Sequence, residues 1–535
     1  MRNLLVILFL TSMLSSQAQD PEIEWQNTIG GSLNDNLRTI IHTSDGGYLL
    51  GGPSSSDISG DKTENSIGSN DYWVVKVDAF GVINWQNTIG GSLGDNLIEM
   101  VETDDGDYIL GGQSNSDISG DKTENSQGMS DYWVVKIDSS GDIIWQNTIG
   151  GSASEEFTTI SLTNDGGCII GGHSLSGISG DKTEPSIGFS DFWILKLGPL
   201  GNIQWQNTIG GNLSDQLEAI VQTQDGGYII GGKSESGISG DKTEAAVGDW
   251  DYWVLKLNAT GDIEWQNTIG GDLHDDLHDI YPTMDGGYIL AGDSRSNAFG
   301  DKTENSLGSK DYWVVKIDDT GTIEWDNTIG GDGQEELFSV FQISDGSYFI
   351  GGGSTSGISV DKDEPSINGS FDYWVLQLDS NGDIIWQNTI GGAGSDFLWQ
   401  IRPTNDGGIV LAGESWSDIS GDKNENSNGG SDFWVVKLDL DLPLASAENS
   451  LNSVAFYPNP VTHYLMIKDS HNLIEEIKVY SVHGVLVHET AGLDYSSTGI
   501  DVSNLKSGVY FLRVSSDGNL TTLKFIKNCI WLYLI

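Results

Sequence analysis

Cysteine is nearly absent. The 535 residues contain only Cys168 and Cys529, which leaves no disulfide framework and no CxxC metal site. Cys168 stands where Tyr48, Tyr108 and Tyr228 stand in other copies of a repeat, so it is expected to be a core substitution. Basic residues are also scarce, 25 against 78 acidic ones, for a net charge of -53. Such a chain is repelled by nucleic acid and by anionic membrane surfaces. It suits a soluble extracellular protein, or one that binds divalent cations. Beyond the first 18 residues no apolar run is long enough to span a bilayer, and helical periodicity is missing throughout. No Ser-His-Asp order, nucleophile elbow, phosphate loop or Rossmann fingerprint occurs.

Glycine and tryptophan, by contrast, are abundant and regularly placed. Trp-Gln-Asn-Thr-Ile-Gly-Gly begins at Trp25, Trp85, Trp145, Trp205, Trp265, Trp325 and Trp386, with Asp326 replacing the glutamine once. A period this strict is read before any local feature. Fourteen of the 18 tryptophans occupy two fixed places in the repeats, and only Trp250, Trp399, Trp416 and Trp531 lie elsewhere. Each repeat offers four strand-like segments, in the first unit Leu37–Thr43, Gly47–Gly52, Tyr72–Asp78 and Val82–Ile89. Asp45-Gly46 suits a tight hairpin between the first two. Asp78-Ala79-Phe80-Gly81 suits a type I turn closed by glycine between the last two. The middle segments are apolar on both faces, as in a sheet covered on both sides.

Seven such units predict an all-β protein, a seven-bladed β-propeller over 19–439. An open solenoid is the alternative, but the ends of the array argue for a ring. Residues 22–31 supply a fourth strand with no first three, and 432–439 a third strand with no fourth. The prediction is that 22–30 pair with 432–439.

Gly51-Gly52 after the second strand, an aromatic-Trp third strand and a Trp opening the fourth resemble Kelch-type blades. Asp-Gly-Gly-Tyr-Ile-Leu-Gly-Gly, Asp-Tyr-Trp-Val-Val-Lys-Ile-Asp and Trp-x-Asn-Thr-Ile-Gly-Gly are more closely similar to the long-period propeller repeats of secreted bacterial proteins. After a linker at 440–452, residues 453–528 resemble the type A C-terminal sorting domain of the Bacteroidetes type IX secretion system. The matching blocks are Tyr457-Pro458-Asn459-Pro460, Val479–Gly484, Leu505–Val514 (with Gly508) and Lys524-Phe525-Ile526-Lys527. Short strands alternating with turns there are consistent with a small β-sandwich. The resemblance implies handling by the type IX machinery and release or attachment at the outer-membrane surface. Residues 1–18 read as a signal peptide for Sec-dependent export, with Arg2, an apolar Leu4–Leu10 and a Ser16-Gln17-Ala18 cleavage site. The apolar tail 529–535 extends past the last matching block.

Three sets of residues are candidate sites. The loop between the second and third strands carries oxygen ligands at alternate positions, which suits Ca²⁺. In repeats one, two and seven the set is Asp57, Ser59, Asp61 and Glu64; Asp117, Ser119, Asp121 and Glu124; and Asp418, Ser420, Asp422 and Glu425. The alternative is that Asp-x-x-Glu caps a short helical turn. Trp250, Trp399 and Trp416 are candidate ligand-stacking residues, since an exposed Trp offers an apolar face and a polar edge; partly buried loop residues are the alternative. His274-Asp275-Asp276-Leu277-His278 is the densest His/Asp cluster and is expected to form a solvated loop. Asp71 and its six equivalents are expected to accept backbone N–H groups as structural acids.

With near-interchangeable units and only His42, His173, His274 and His278 in the array, the expectation is a secreted or surface-displayed binding module for a glycan, polymer or protein. A glycan-active lyase or hydrolase, using Glu155-Glu156 or Glu335-Glu336, is the enzyme alternative. A structural surface-layer protein is the third. Those glutamate pairs are expected to be exposed acids in a loop before the first strand.

Overall fold

The computed structural model describes residues 21–440 and, further on, 454–457, 464–469, 474–481, 486–491, 500–503, 505–506, 508–516 and 519–527. The chain divides into two compact units, one of them Asp20–Leu440. That unit contains seven four-stranded antiparallel sheets. In the first blade the strands are Thr39–His42, Tyr48–Ser54, Asp71–Val77 and Ile83–Ile89. The seventh blade takes Asp396–Pro403, Ile409–Ser415 and Asp432–Asp439 from its own repeat and Glu22–Ile29 from the start of the array. Glu22 faces Asp439 and Ile29 faces Phe433 in an antiparallel register. The ring closes as the sequence predicts.

The turns follow from their residues. Gly46 has φ 90° and its N–H donates to the Thr43 carbonyl at 2.9 Å, a conformation that costs glycine little. In the third-to-fourth turn the Asp78 carboxylate accepts the N–H groups of Phe80 and Val82, at 2.9 and 3.0 Å.

Seven apolar clusters each join two neighbouring blades. Leu50, Trp73 and Val75 of the first blade, for example, pack with Val410, Ala412, Phe433 and Val435 of the seventh. One such cluster lies at every joint, which is why the middle strands are apolar on both faces. Cys168 is buried in one of them, in place of the tyrosine.

The double glycine of each second strand is a packing requirement. A Cβ on Gly111 would lie 2.2 Å from the Phe157 ring of the next blade. One on Gly112 would lie 2.0 Å from the Asn96 carbonyl of its own first strand. Ala291 and Ala412 occupy the first of these places in two blades, while the second is glycine in all seven.

The second unit carries two antiparallel sheets. Val454–Tyr457, Tyr464–Asp469 and Ile500–Asp501 form one, and Leu486–Ala491, Ile474–Ser481, Gly508–Ser516 and Asn519–Lys527 the other. Tyr457, Gly508, Lys524 and Lys527 of the sorting blocks lie in these strands. Pro458, Asn459, Pro460, Gly484, the signal segment 1–18, linker residues 441–452 and the tail 529–535 lie outside the described residues.

Candidate functional site at the channel mouth

The polar and glycine positions of the repeated motif are structural. Gln86 accepts the Trp73 indole N–H and the Thr63 N–H, both at 3.1 Å, and donates to the Asp61 carbonyl at 2.7 Å. Asn87 donates to the Gly141 carbonyl of the next blade at 2.7 Å. The Thr88 N–H reaches Glu64 at 2.7 Å. The Gly90 N–H reaches Asp121 of the next blade at 3.2 Å, and the Gly91 N–H reaches buried Asp95 at 2.7 Å. Asp71 accepts the N–H groups of Ile67 and Gly68 at 2.7 and 3.2 Å, the structural role its position suggests.

The acidic loop disperses its oxygens instead of converging them. Asp61 accepts the Gly30 N–H at 3.2 Å, Asp422 accepts that of Gly391 at 3.1 Å, and Glu425 accepts that of Thr28 at 2.7 Å. Glu124 accepts the Thr148 N–H at 2.7 Å. Ser59, Ser119 and Ser420 donate to the carbonyls of Asp57, Asp117 and Asp418, each at 2.8 Å. The Asp-x-x-Glu stretch is a turn with an isolated bridge, Ser59 to Lys62, rather than a helical cap. Among the described residues no group of three or more His, Cys, Asp or Glu side chains converges as a metal site would require. A six- to eight-oxygen calcium shell does not fit these residues.

The loop supplies its own cation, which the sequence reading missed. Lys62 is buried, 2 % exposed, with its ammonium 5.0 Å from the Trp73 ring centre and 3.1 Å from Thr88 Oγ1. Burial pushes its pKa down to about 8, opposed by the charges of Asp35, Asp71, Glu64 and Asp57. Lys122 and Lys423 sit likewise over Trp133 and Trp434. The missed signal was an invariant lysine inside an acidic loop, facing an invariant tryptophan.

The repeats differ at another set of positions, and the structure gathers them. In six blades the first strand carries a bulge opposite the double glycine. The extra residue there, with its counterpart in the first blade, is Arg38, Ile98, Thr158, Glu218, His278, Phe338 or Trp399. The seven are all different, and all line a central cavity of about 830 Å³. The expectation of interchangeable units is thus corrected: repetition builds the ring, and the innermost strand individualises each blade.

Side chains one position further on stitch the blades together around this channel. Glu99 accepts the Ile160 N–H at 2.9 Å, Asp279 that of Val340 at 3.0 Å, and Gln400 that of Ile40 at 2.8 Å. Burial lifts Glu99 to about 7, with the Ile160 N–H and Arg402 opposing, and raises Asp279 as well.

Charges at the mouth are paired. Lys233 lies 3.1 Å from Asp276 and 4.0 Å from Glu218. Lys310 lies 2.9 Å from Asp293 and 3.3 Å from Glu336. His278 meets Asp293 at 3.2 Å, and His173 meets Glu156 at 3.2 Å. Burial works against the His278 imidazolium, yet Asp293 holds its pKa above the ordinary value. The His274–His278 cluster is therefore no solvated loop. Asp275–Pro282 is a first strand, Asp275 is buried on Gly271, Ser294 and Ser296, and Asp276 and His278 serve different partners. Of the glutamate pairs, Glu156 is exposed as expected, and the first member of each is corrected. Glu155 and Glu335 are strand residues, fully buried, accepting the N–H groups of Gly151 and Gly331 at 2.8 and 3.0 Å.

The three candidate tryptophans have different settings. Trp399 lines the channel between the Arg38 guanidinium, 4.0 Å from its ring centre, and the Phe338 ring at 4.5 Å. His278 extends this row, 4.9 Å from Phe338. Trp250 is half-buried beside His274 at 6.4 Å, with Lys233 5.8 Å from its ring centre. Trp416 is 43 % exposed and meets Phe397 edge-on at 5.8 Å.

Residues 455–528 match the family described as Secretion system C-terminal sorting domain. A sorting domain of this kind implies export and a secreted or cell-surface location. Among the described residues no helix is long and apolar enough to cross a membrane. The chain is 23 % identical over 389 residues to the regulatory protein FlaEY of Caulobacter vibrioides, covering 66 % of this chain and 40 % of that protein. The chain thus spans two-fifths of the length of the curated relative it matches. Among solved structures it is similar to the Pan2 WD40 domain of Neurospora crassa, at 10 % identity and TM-score 0.38, covering 76 % of this chain and 89 % of that one. It is also similar to Sqt1 from Chaetomium thermophilum, at 11 % identity and TM-score 0.39, covering 95 % and 99 %.

Proposed function

We propose that this secreted propeller is a binding module that takes its ligand at the mouth of the central channel. One observation carries the reading. Repeats that are nearly identical in their cores, turns and joints diverge in the innermost strand, where seven different side chains face one cavity. A purely structural ring would have no use for that divergence, whereas a binding site needs a unique constellation of side chains in a concave place.

The distribution of basic residues supports this. Between residues 21 and 440, lysines equivalent to Lys62 or Lys76 account for all but Arg38, Lys233, Arg295, Lys310 and Arg402. Arg38 and Arg402 line the channel, and Lys233 and Lys310 pair with acids beside it.

The test is an immobilised polysaccharide and protein array probed with the full chain, wild type against Phe338→Ala and against Ile144→Ala, which changes an exposed repeat position. Binding weakened by the first substitution alone supports the mouth as the site. Equal binding by all three proteins would overturn it.

A further inference from the structure

We infer, building on the channel-mouth reading, that the occupant is the end of a neutral saccharide chain. The channel is two-sided. On blades five to seven the wall is a row of rings: His278, Phe338 at 4.9 Å, and Trp399 at 4.5 Å, closed by the Arg38 guanidinium 4.0 Å from the last ring centre. On blades three and four the facing wall is polar, with Thr158 and Glu218. A pyranose ring has the same division, an apolar face of C–H groups and an edge of hydroxyls. Stacking on one wall and hydrogen bonding to the other satisfy both halves at once.

Charge decides against other occupants. The chain carries -53 overall, so a polyanion is repelled before it reaches the mouth. A polycation would be drawn to the uncompensated acids of the outer surface. At the mouth the acids are held by shared contacts: Glu218 and Asp276 share Lys233, Asp293 and Glu336 share Lys310, and Glu156 meets the His173 ring. Acids held by shared lysines present fixed donors and acceptors with part of their field cancelled, which suits hydroxyls.

The same geometry sorts the tryptophans. Trp399 is packed between Phe338 and Arg38 and contributes wall rather than a free platform. Trp416 is exposed and does not line the cavity, so it is no part of this wall.

The test uses the full chain with purified glycans in calorimetry: neutral laminarin, mannan and dextran, anionic alginate, and cationic chitosan. At least one neutral glycan is expected to bind with an affinity unchanged by salt. Phe338→Ala and Glu218→Gln should each weaken it by on the order of tenfold, and Ile144→Ala, at an exposed repeat position outside the cavity, should leave it unchanged. Thermal melts confirm that each variant is folded. Binding of alginate or chitosan alone, lost in Phe338→Ala, would leave the mouth as the site and overturn the neutral occupant. Neutral glycan binding untouched by both variants would overturn the site. No glycan binding in any buffer would overturn the saccharide inference.

Discussion

Phe433 of the seventh blade packs over Trp73 of the first with ring centres 4.9 Å apart, at the joint that closes the ring. At five other joints this place holds a tyrosine whose hydroxyl donates to the tryptophan's own carbonyl, as Tyr72 does to Trp133 at 2.9 Å and Tyr373 to Trp434 at 3.0 Å. The closing joint keeps the ring contact and lacks that bond. Phe433→Tyr should place a hydroxyl against the Trp73 carbonyl and stabilise the ring by about 1 kcal/mol, read as a higher midpoint in urea with an unchanged slope. A lower midpoint would mean that the closing joint is packed more tightly than its equivalents.

Val360 has φ 42° at a position where Gly60, Gly120, Gly180, Gly240, Gly300 and Gly421 have φ between 55° and 62°. A β-branched residue is strained there. The neighbouring bond shows the effect: Asp361 N–H to the Gly330 carbonyl is 3.2 Å, against 2.8 Å for Asp61 to Gly30. Val360→Gly relieves the strain, although it frees the unfolded chain, and should stabilise by about 1 kcal/mol net. Calorimetry should show a rise in Tm; a fall would show that the loop has relaxed around valine.

The fold was legible because its rules are local and repeated. Asp78 to Gly81 encodes a turn, Gly51-Gly52 a close approach, and the unmatched strands at 22–29 and 432–439 can complete a sheet only with each other. The site was less legible for two reasons. Lys62 carries no signal of its own in the loop because its burial depends on Trp73, a neighbour in space and not in the loop. Glu218 and Phe338 carry no signal in the sequence, and His278 reads there as part of a loop cluster, because their meaning lies in a bulge that turns three different blades toward one cavity. The stacking role proposed for Trp399 came from its exception to the repeat, and the structure makes it part of a wall because Arg38, from the far end of the array, covers it.

Lys122 illustrates how the acidic loops balance their charge. Its ammonium donates to Ser114 Oγ at 2.9 Å and faces the charges of Asp95, Asp131, Glu124 and Asp117. Lys122→Met keeps much of the volume and removes the cation, leaving the buried acids uncompensated. The expected cost is about 3–5 kcal/mol, measured by urea unfolding. Added calcium should not restore the loss, and chelation should leave the wild-type Tm unchanged. A Tm that falls on chelation would mean that an ion shares the loop with the lysine.

Stability should also fall as pH rises from mildly acidic to mildly basic. Burial pushes Asp372 up to about 8, Asp432, Glu99 and Glu414 to about 7, and Asp131, Asp191, Asp251 and Asp275 to about 6. In the unfolded chain such groups titrate near 4. Their folded pKa values are raised, so the stability they contribute is full below about 4 and is lost as pH climbs through 6 to 8. An opposite set bounds the acid side. Despite partial burial, Thr43 and Thr163 hydroxyls, glycine amides and Lys76 and Lys196 hold Asp45 and Asp165 at about 2, and that contribution disappears only as pH falls from about 4 towards 2. Lys62, Lys122, Lys182, Lys242, Lys302 and Lys362, lowered to about 8 by burial, exchange protons on unfolding only above that pH and leave the acid window unaffected. Calorimetric scans should therefore place the highest Tm near pH 4–5, with a decline by pH 8. Glu414→Gln, which keeps the shape beside Arg38 and removes one titrating group, should flatten part of that decline. A Tm that increases steadily from pH 5 to 8 would mean that these carboxylates are ionised in the folded ring, each with a stronger partner than the lysines and amides that face them.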